Sequence, residues 1–240
     1  DEMTQMALGT IGLFIIHQRR PKEERPDRDF AFLLSEWRID VGTSRPNPNE
    51  MTNFNIFTFN AKVFPASAPM VARLGDRVRI RIANLGAMSH HPIHLHGYQF
   101  RVTETDGGPI PQSAQQVETS VLVSVGQSRT IDFVAHEPGD WAMHCHMTHH
   151  VMNQMGDKFP NMIGVKPGEV DAQIQRLLPE YMTMGSDGMA EHGAHIASGH
   201  VNAPPNSIPM RGGPGPFADI PMGGLLTVLK VREHLERYDR

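Results

Sequence analysis

The chain has 240 residues, a net charge of −4, 14 histidines, 15 methionines and one cysteine. That length holds one sizeable domain or two small ones, and the lone Cys145 excludes an intrachain disulfide and any structural zinc site built from several cysteines. A balance of 26 carboxylates against 22 Lys plus Arg gives no electrostatic reason to expect nucleic acid or an anionic membrane as partner.

Residues 8–16 form the longest apolar run near the start, far short of the roughly 20 needed to cross a bilayer. No membrane span is expected, and residues 8–17 read as a strand. The chain opens on Asp1 with no basic n-region or cleavage site ahead of this run, which points to a removed leader or a fragment. Residues 1–20 are expected to be the last strand of a preceding domain, and the basic, proline-bearing residues 21–29 a linker. Strand-like composition restarts at 30–39 and returns at 55–59, 76–83, 98–102, 117–125, 130–134 and 141–143, punctuated by Gly, Pro and Asn. Short strands at this spacing, without alternating helices, imply an all-β sandwich or barrel. A short amphipathic helix is expected over 170–178, with Val170, Ile174, Leu177 and Leu178 on one face and Pro179 as its stop. Residues 181–222 are rich in Gly, Pro, Met and His without periodicity and read as a long loop. Residues 224–231 return to strand character and dock on the sandwich, after which the last residues are expected to fray.

Two histidine clusters carry the chemistry, one at 90–96 and the other at 144–150. Residues two apart on a strand share a face, so His94 and His96 project together while Ile93 and Leu95 face the core. By the same period His144 and His146 point one way and Cys145 the other. Thiolate, imidazole and a weak thioether form the ligand set of a blue copper site. Cys145, His150 and Met155 supply these at spacings of five and ten residues, and His91 can supply a second imidazole. A mononuclear site has no need of His144 and His146 on either side of its cysteine. Covalent continuity from Cys145 to both is a direct electron path from one metal centre to another.

At these residues the sequence resembles the multicopper oxidases, the laccase-like family. His91-Pro-Ile-His94-Leu-His96-Gly97 matches the H-x-x-H-x-H-G motif, and His144-Cys145-His146, His150 and Met155 match H-C-H-x-x-x-H-x-x-x-x-M. Further agreement lies at 60–65, 75–84 and 137–141, with Ala61 standing where the family usually has glycine. The resemblance implies a cupredoxin-like Greek-key sandwich over 30–240, with the short helix and Met/His-rich loop as additions, preceded by the last strand of another cupredoxin domain. It also implies that His91, Cys145, His150 and Met155 hold type 1 copper. His94 would then be a type 2 ligand, and His96, His144 and His146 type 3 ligands. Cys145, His144 and His146 would carry electrons, with His150 as the edge that receives them from substrate. His90 and His149 fall outside the motifs and read as outer-shell, substrate-facing or merely exposed residues, and His17 and His136, which have no motif partners, as ordinary polar side chains. Asp106 and Asp140 read as solvated turn residues.

The family's trinuclear cluster needs four H-x-H pairs, two from each of two cupredoxin domains, and this chain supplies only 94/96 and 144/146. His192, His195 and His200 do not have the spacing. The half-site and the short interval between His17 and His91 favour a two-domain parent, in which the cluster forms between subunits of a homotrimer. The implied activity is oxidation of phenols, aromatic amines or Cu(I), with dioxygen reduced to water, in a periplasmic or secreted protein. Met182, Met184, Met189, Met210 and Met222 either capture Cu(I) or are incidental. A non-catalytic copper-binding module is the rival of a different class. A copper nitrite reductase is a second rival, disfavoured by His146, and zinc or no metal a third.

Overall fold

The computed structural model describes residues 1–17, 19, 25–39, 43–64, 66–151, 176, 213–214, 219–220 and 224–238, the two short segments between 213 and 220 by backbone alone. After a short helix α1 (Glu2–Ala7) the elements are strands. They are β1 (Arg28–Trp37), β2 (Ile56–Phe59), β3 (Met70–Arg73), β4 (Arg77–Asn84), β5 (His91–Leu95), β6 (Phe100–Thr105), β7 (Gly108–Pro109), β8 (Val117–Glu118), β9 (Ser120–Val123), β10 (Ser128–Val134), β11 (Gly139–Cys145), β12 (Gly213–Pro214), β13 (Asp219–Ile220) and β14 (Leu226–Arg232).

They form two principal sheets, β2-β1-β4-β10-β6-β7 with β8 paired to β6, and β3-β14-β11-β5-β9. Period-2 alternation explains how they face each other. On β4, Val78, Ile80 and Ile82 are buried while Arg77, Arg79 and Arg81 point outward. Ile80, Ile82, Ile131 and Phe59 from the first sheet meet Ile93, Leu95, Met143 and Leu229 from the second in one apolar core. Each such side chain contributes about 1.5–3 kcal/mol by leaving water. This is the cupredoxin-like sandwich expected. Outside it, Arg79 grips Asp132 through two hydrogen bonds of 2.8 and 2.6 Å, and Arg81 bridges Asp29 and Glu104. Among the described residues no helix is long and apolar enough to cross a membrane.

Four expectations change. Residues 8–17 pair with no described strand: helix α1 precedes them, Gly9 at φ +92° breaks the extended backbone at their start, and Phe14 and Ile16 are exposed. The expected linker ends early, since Arg28 and Asp29 already pair in parallel with Val78 and Arg79. The tail does not fray among the described residues. Tyr238 stacks under the Arg28 guanidinium 4.0 Å from its ring centroid, and Arg73 donates to the Leu235 carbonyl. Within the expected loop, β12 pairs with β13. The expected helix at 170–178 lies outside the described residues except Arg176, which is helical.

Candidate metal centre

Strands β5 and β11 lie side by side with His94 opposite His144 and Ile93 opposite Cys145. That register makes parity decide everything near the site. Odd-numbered His91, Ile93, Leu95, Met143 and Cys145 face the core, and even-numbered His94 and His144 lie on the opposite face of the sheet, His144 itself buried. His150 reaches the same core position as Cys145 from the 3-10 turn Thr148–Val151 that follows β11.

On the inner face the His91 and His150 Nδ1 atoms are 3.0 Å apart, and Cys145 Sγ lies 3.6 and 3.4 Å from them. All three residues are buried, at 0, 1 and 0% exposure for His91, His150 and Cys145. These edges fit a trigonal site with metal bonds of roughly 2.0–2.3 Å. Burial pushes His91 down to about 4 and His150 to about 3, so both imidazoles present neutral lone pairs at pH 7. Burial also pushes the Cys145 thiol up to about 12, so a thiolate in this pocket needs a cation where the three donors meet. Two imidazoles and a thiolate in a trigonal set match a blue copper centre better than zinc, which favours four strong tetrahedral ligands. The residues therefore fit copper. The expected fourth ligand, Met155, lies outside the described residues.

On the outer face His96 Nε2 and His144 Nε2 stand 3.0 Å apart. His144 Nδ1–H donates to the Cys145 carbonyl at 2.8 Å, which turns Nε2 toward His96. His94 Nδ1–H is anchored by the Thr119 carbonyl at 2.7 Å and Ser120 Oγ at 2.8 Å, which frees its Nε2. His146, just past β11, stands with its ring centroid 5.4 Å from that of His94. Thus the structure brings His94, His96, His144 and His146 together. His96 and His146 are exposed, so this group opens outward, where another surface can add ligands.

Several residues support the two groups, and apart from Gly97, which closes the first motif, none of them is part of the ligand motifs. Phe57 stacks on His150 with centroids 4.2 Å apart. Gly97 has φ +73°, and a Cβ there would lie 2.2 Å from the Trp141 ring. Leu225 both donates to the His150 carbonyl and accepts from the Cys145 amide, stapling the ligand turn to β11. Glu36 accepts from the Met88 and Ser89 amides and fixes the loop that delivers His91. Asp140 is not solvated: its side chain is 4% exposed and pairs with Arg232 at 2.7 Å, because β11 runs beside β14 there. Asp106 caps the Ser128 amide and faces Arg129. His90 accepts from the Val125 amide and is otherwise exposed.

The family profile described as multicopper oxidase matches residues 40–164. Multicopper oxidase MmcO of Mycobacterium tuberculosis (strain ATCC 25618 / H37Rv) is 32% identical over 102 residues, which cover 42% of this chain and 19% of that protein. Laccase-6 of Arabidopsis thaliana is 30% identical over 141 residues, covering 55% of this chain and 22% of that protein. The chain thus spans only about a fifth of these relatives' length. A solved multicopper oxidase, mgLAC, superposes with a TM-score of 0.53 at 22% identity, over 91% of this chain and 49% of that one, a likeness of fold.

Proposed function

The chain belongs to the multicopper oxidase family, and from that premise we propose that it is the C-terminal cupredoxin domain of a two-domain oxidase that takes electrons from phenols, aromatic amines or Cu(I) and reduces dioxygen to water. One observation carries the reading. Cys145 lies inside with His91 and His150, while its covalent neighbours His144 and His146 lie outside with His94 and His96.

Copper, when bound, supplies one-electron chemistry at each of the two groups. His91, Cys145 and His150 would hold type 1 copper, with Met155 as a further, weak thioether donor. His94 would serve type 2 copper, and His96, His144 and His146 the type 3 pair. Core packing excludes water from the inner group, and Phe57 closes one face of His150. The Cys145 backbone joins the two groups, and the His144 ring adds a hydrogen bond to the Cys145 carbonyl. The outer group lacks half its imidazoles in this chain. H-x-H pairs of a preceding domain, presented by a neighbouring subunit of a homotrimer, would complete it. Residues 1–20 would then belong to that preceding domain, and the protein would work in the periplasm or outside the cell.

Only two H-x-H pairs occur in this sequence, which favours a second reading for the isolated chain: a copper-binding module without turnover. Copper stoichiometry, absorption and oxygen uptake separate the two. The isolated chain is expected to bind about one blue copper tightly, without oxygen uptake. Joined to a preceding domain that bears two H-x-H pairs, it is expected to gain type 3 absorption and consume oxygen with a phenolic donor. Absence of both gains would sink the oxidase reading.

A further inference from the structure

We propose that the outer face of the first sheet carries a binding site for a small monocarboxylate with an apolar body, held by the Arg101 guanidinium. This face lies on the far side of the first sheet from both histidine groups, which belong to the second. The site is therefore independent of the copper reading.

Strand register sets four outward side chains in one row. Asp132 of β10 stands between Arg79 of β4 and Arg101 of β6, and Arg101 stands opposite Val117 of β8. Neighbouring strands are about 4.8 Å apart, so Asp132 has an arginine on either side. It serves one of them. Arg79 takes both of its carboxylate oxygens, at 2.8 and 2.6 Å, in the forked geometry that suits a guanidinium best. Elsewhere on β4, Arg77 pairs with Asp27, and Arg81 with Asp29 and Glu104. Arg101 is exposed, and among the described residues its side chain makes no hydrogen bond or ion pair.

Around that guanidinium the surface forms a groove of about 710 Å³, within the roughly 300–1,000 Å³ of small-molecule sites. Its lining holds three arginines against one aspartate, in a chain whose net charge is −4. Charge alone therefore favours an anion. The rest of the lining decides which kind. Val117 and Val134 are 52% and 48% exposed and line the groove beside Arg101. The His136 ring, tied through Nδ1 to the Val134 carbonyl at 3.0 Å, is a further flat wall. A bare inorganic anion would satisfy the arginine and leave these surfaces in water. A carboxylate fits the Arg101 fork, and an attached ring or short alkyl chain covers the valines. Gln99 lies two residues before Arg101, exposed and with no side-chain hydrogen bond among the described residues, and its amide N–H can donate to the same carboxylate.

The test titrates the copper-free chain with benzoate at fixed ionic strength, following the Arg101 Nε–H and Gln99 side-chain amide resonances. Both are expected to shift saturably. Acetate and benzyl alcohol, which carry the charge and the apolar body separately, are each expected to bind more weakly. Read at Gln99, Arg101→Gln is expected to weaken benzoate about tenfold, as loss of a charge-assisted hydrogen bond implies. Arg101→Lys keeps the charge without the fork and is expected to lose less. Val134→Thr keeps a β-branched residue on the strand and removes apolar surface, for an expected loss of a few-fold. Unchanged affinity in Arg101→Gln would overturn the proposal. So would inorganic phosphate that shifts the same resonances as strongly as benzoate, which would mean a site for any anion. A glutamate-rich peptide that binds more tightly than benzoate would also overturn it, by making this face a protein-docking surface.

Discussion

Cys145 sits between two sets of imidazoles because a strand turns successive side chains to opposite faces. Its sulfur goes to the interior, where burial drives the thiol pKa up to about 12 in the absence of a cation. A bound metal reverses that preference and holds the thiolate. Cys145→Ser replaces the soft donor with a hydroxyl and is expected to abolish intense blue absorption in the copper-loaded chain, checked by visible spectroscopy. Retention of the band would refute the assignment. His91, His94, His96, His144, His146 and His150 gather in two groups, one on each face of the sheet, and were legible through the resemblance to the family's motifs. Their supports were not. Phe57 is one aromatic among 11 phenylalanines, and only tertiary packing puts it on His150. Glu36 and Leu225 act across long sequence separations that no local pattern encodes. The same holds for Asp140, whose partner Arg232 arrives from the far end of the chain.

At the scale of elements, the strand rhythm was readable where β-branched and aromatic residues alternate with charged ones, as along β4 and β10. It failed where pairing supplies the order. β3 has four residues and exists because β14 lies parallel to it, while residues 8–17 have strand-like composition and pair with no described strand. Turns show the reverse, with local sequence and conformation in tension. Asn60 and Ala61 have φ of +52° and +58°, and Asn60 compensates by bonding the Leu33 amide and the Ala31 carbonyl of β1. Ala61 has no such bond through its side chain. An L-residue in the left-handed region costs about 1–2 kcal/mol, offset in part by the greater unfolded-state freedom of glycine. Ala61→Gly is therefore expected to raise stability by about 1 kcal/mol, read from urea unfolding midpoints at constant m-value. Gly224 presents the opposite case. Its φ is +63°, and a Cβ would lie 2.6 Å from the His150 carbonyl oxygen. Both atoms are backbone-bound, so the turn bearing His150 has to move. Gly224→Ala is expected to cost about 2 kcal/mol or more and to shift the blue band. An unchanged spectrum would show that the turn is set without this contact.

For the whole molecule, the inner group couples folding to proton and metal binding. Burial lowers His91 from 6.5 to about 4 and His150 from 6.5 to about 3. In the unfolded chain both titrate near 6.5, so below that pH the unfolded state binds protons that the folded state refuses. The sign follows: above pH 6.5 neither state is protonated at these rings and they add no pH dependence. As pH falls from 6.5 toward 4, each ring shifts the equilibrium toward unfolding by up to about tenfold per pH unit. Near pH 4 His91 begins to protonate in the folded state and its contribution levels off, with His150 following near 3. The copper-free chain is thus expected to lose stability steeply between pH 6.5 and 4, measured by thermal or urea unfolding in matched buffers. Replacing His91 and His150 together by neutral residues is expected to flatten that slope. Copper binds the same nitrogens in the folded state, so loading adds stability by mass action at each pH, while protons compete increasingly as pH falls. A loaded chain is expected to unfold at higher temperature than the copper-free chain at pH 7, with the gap narrowing below pH 5. If the gap does not depend on pH, the bound metal is not held by titrating imidazoles.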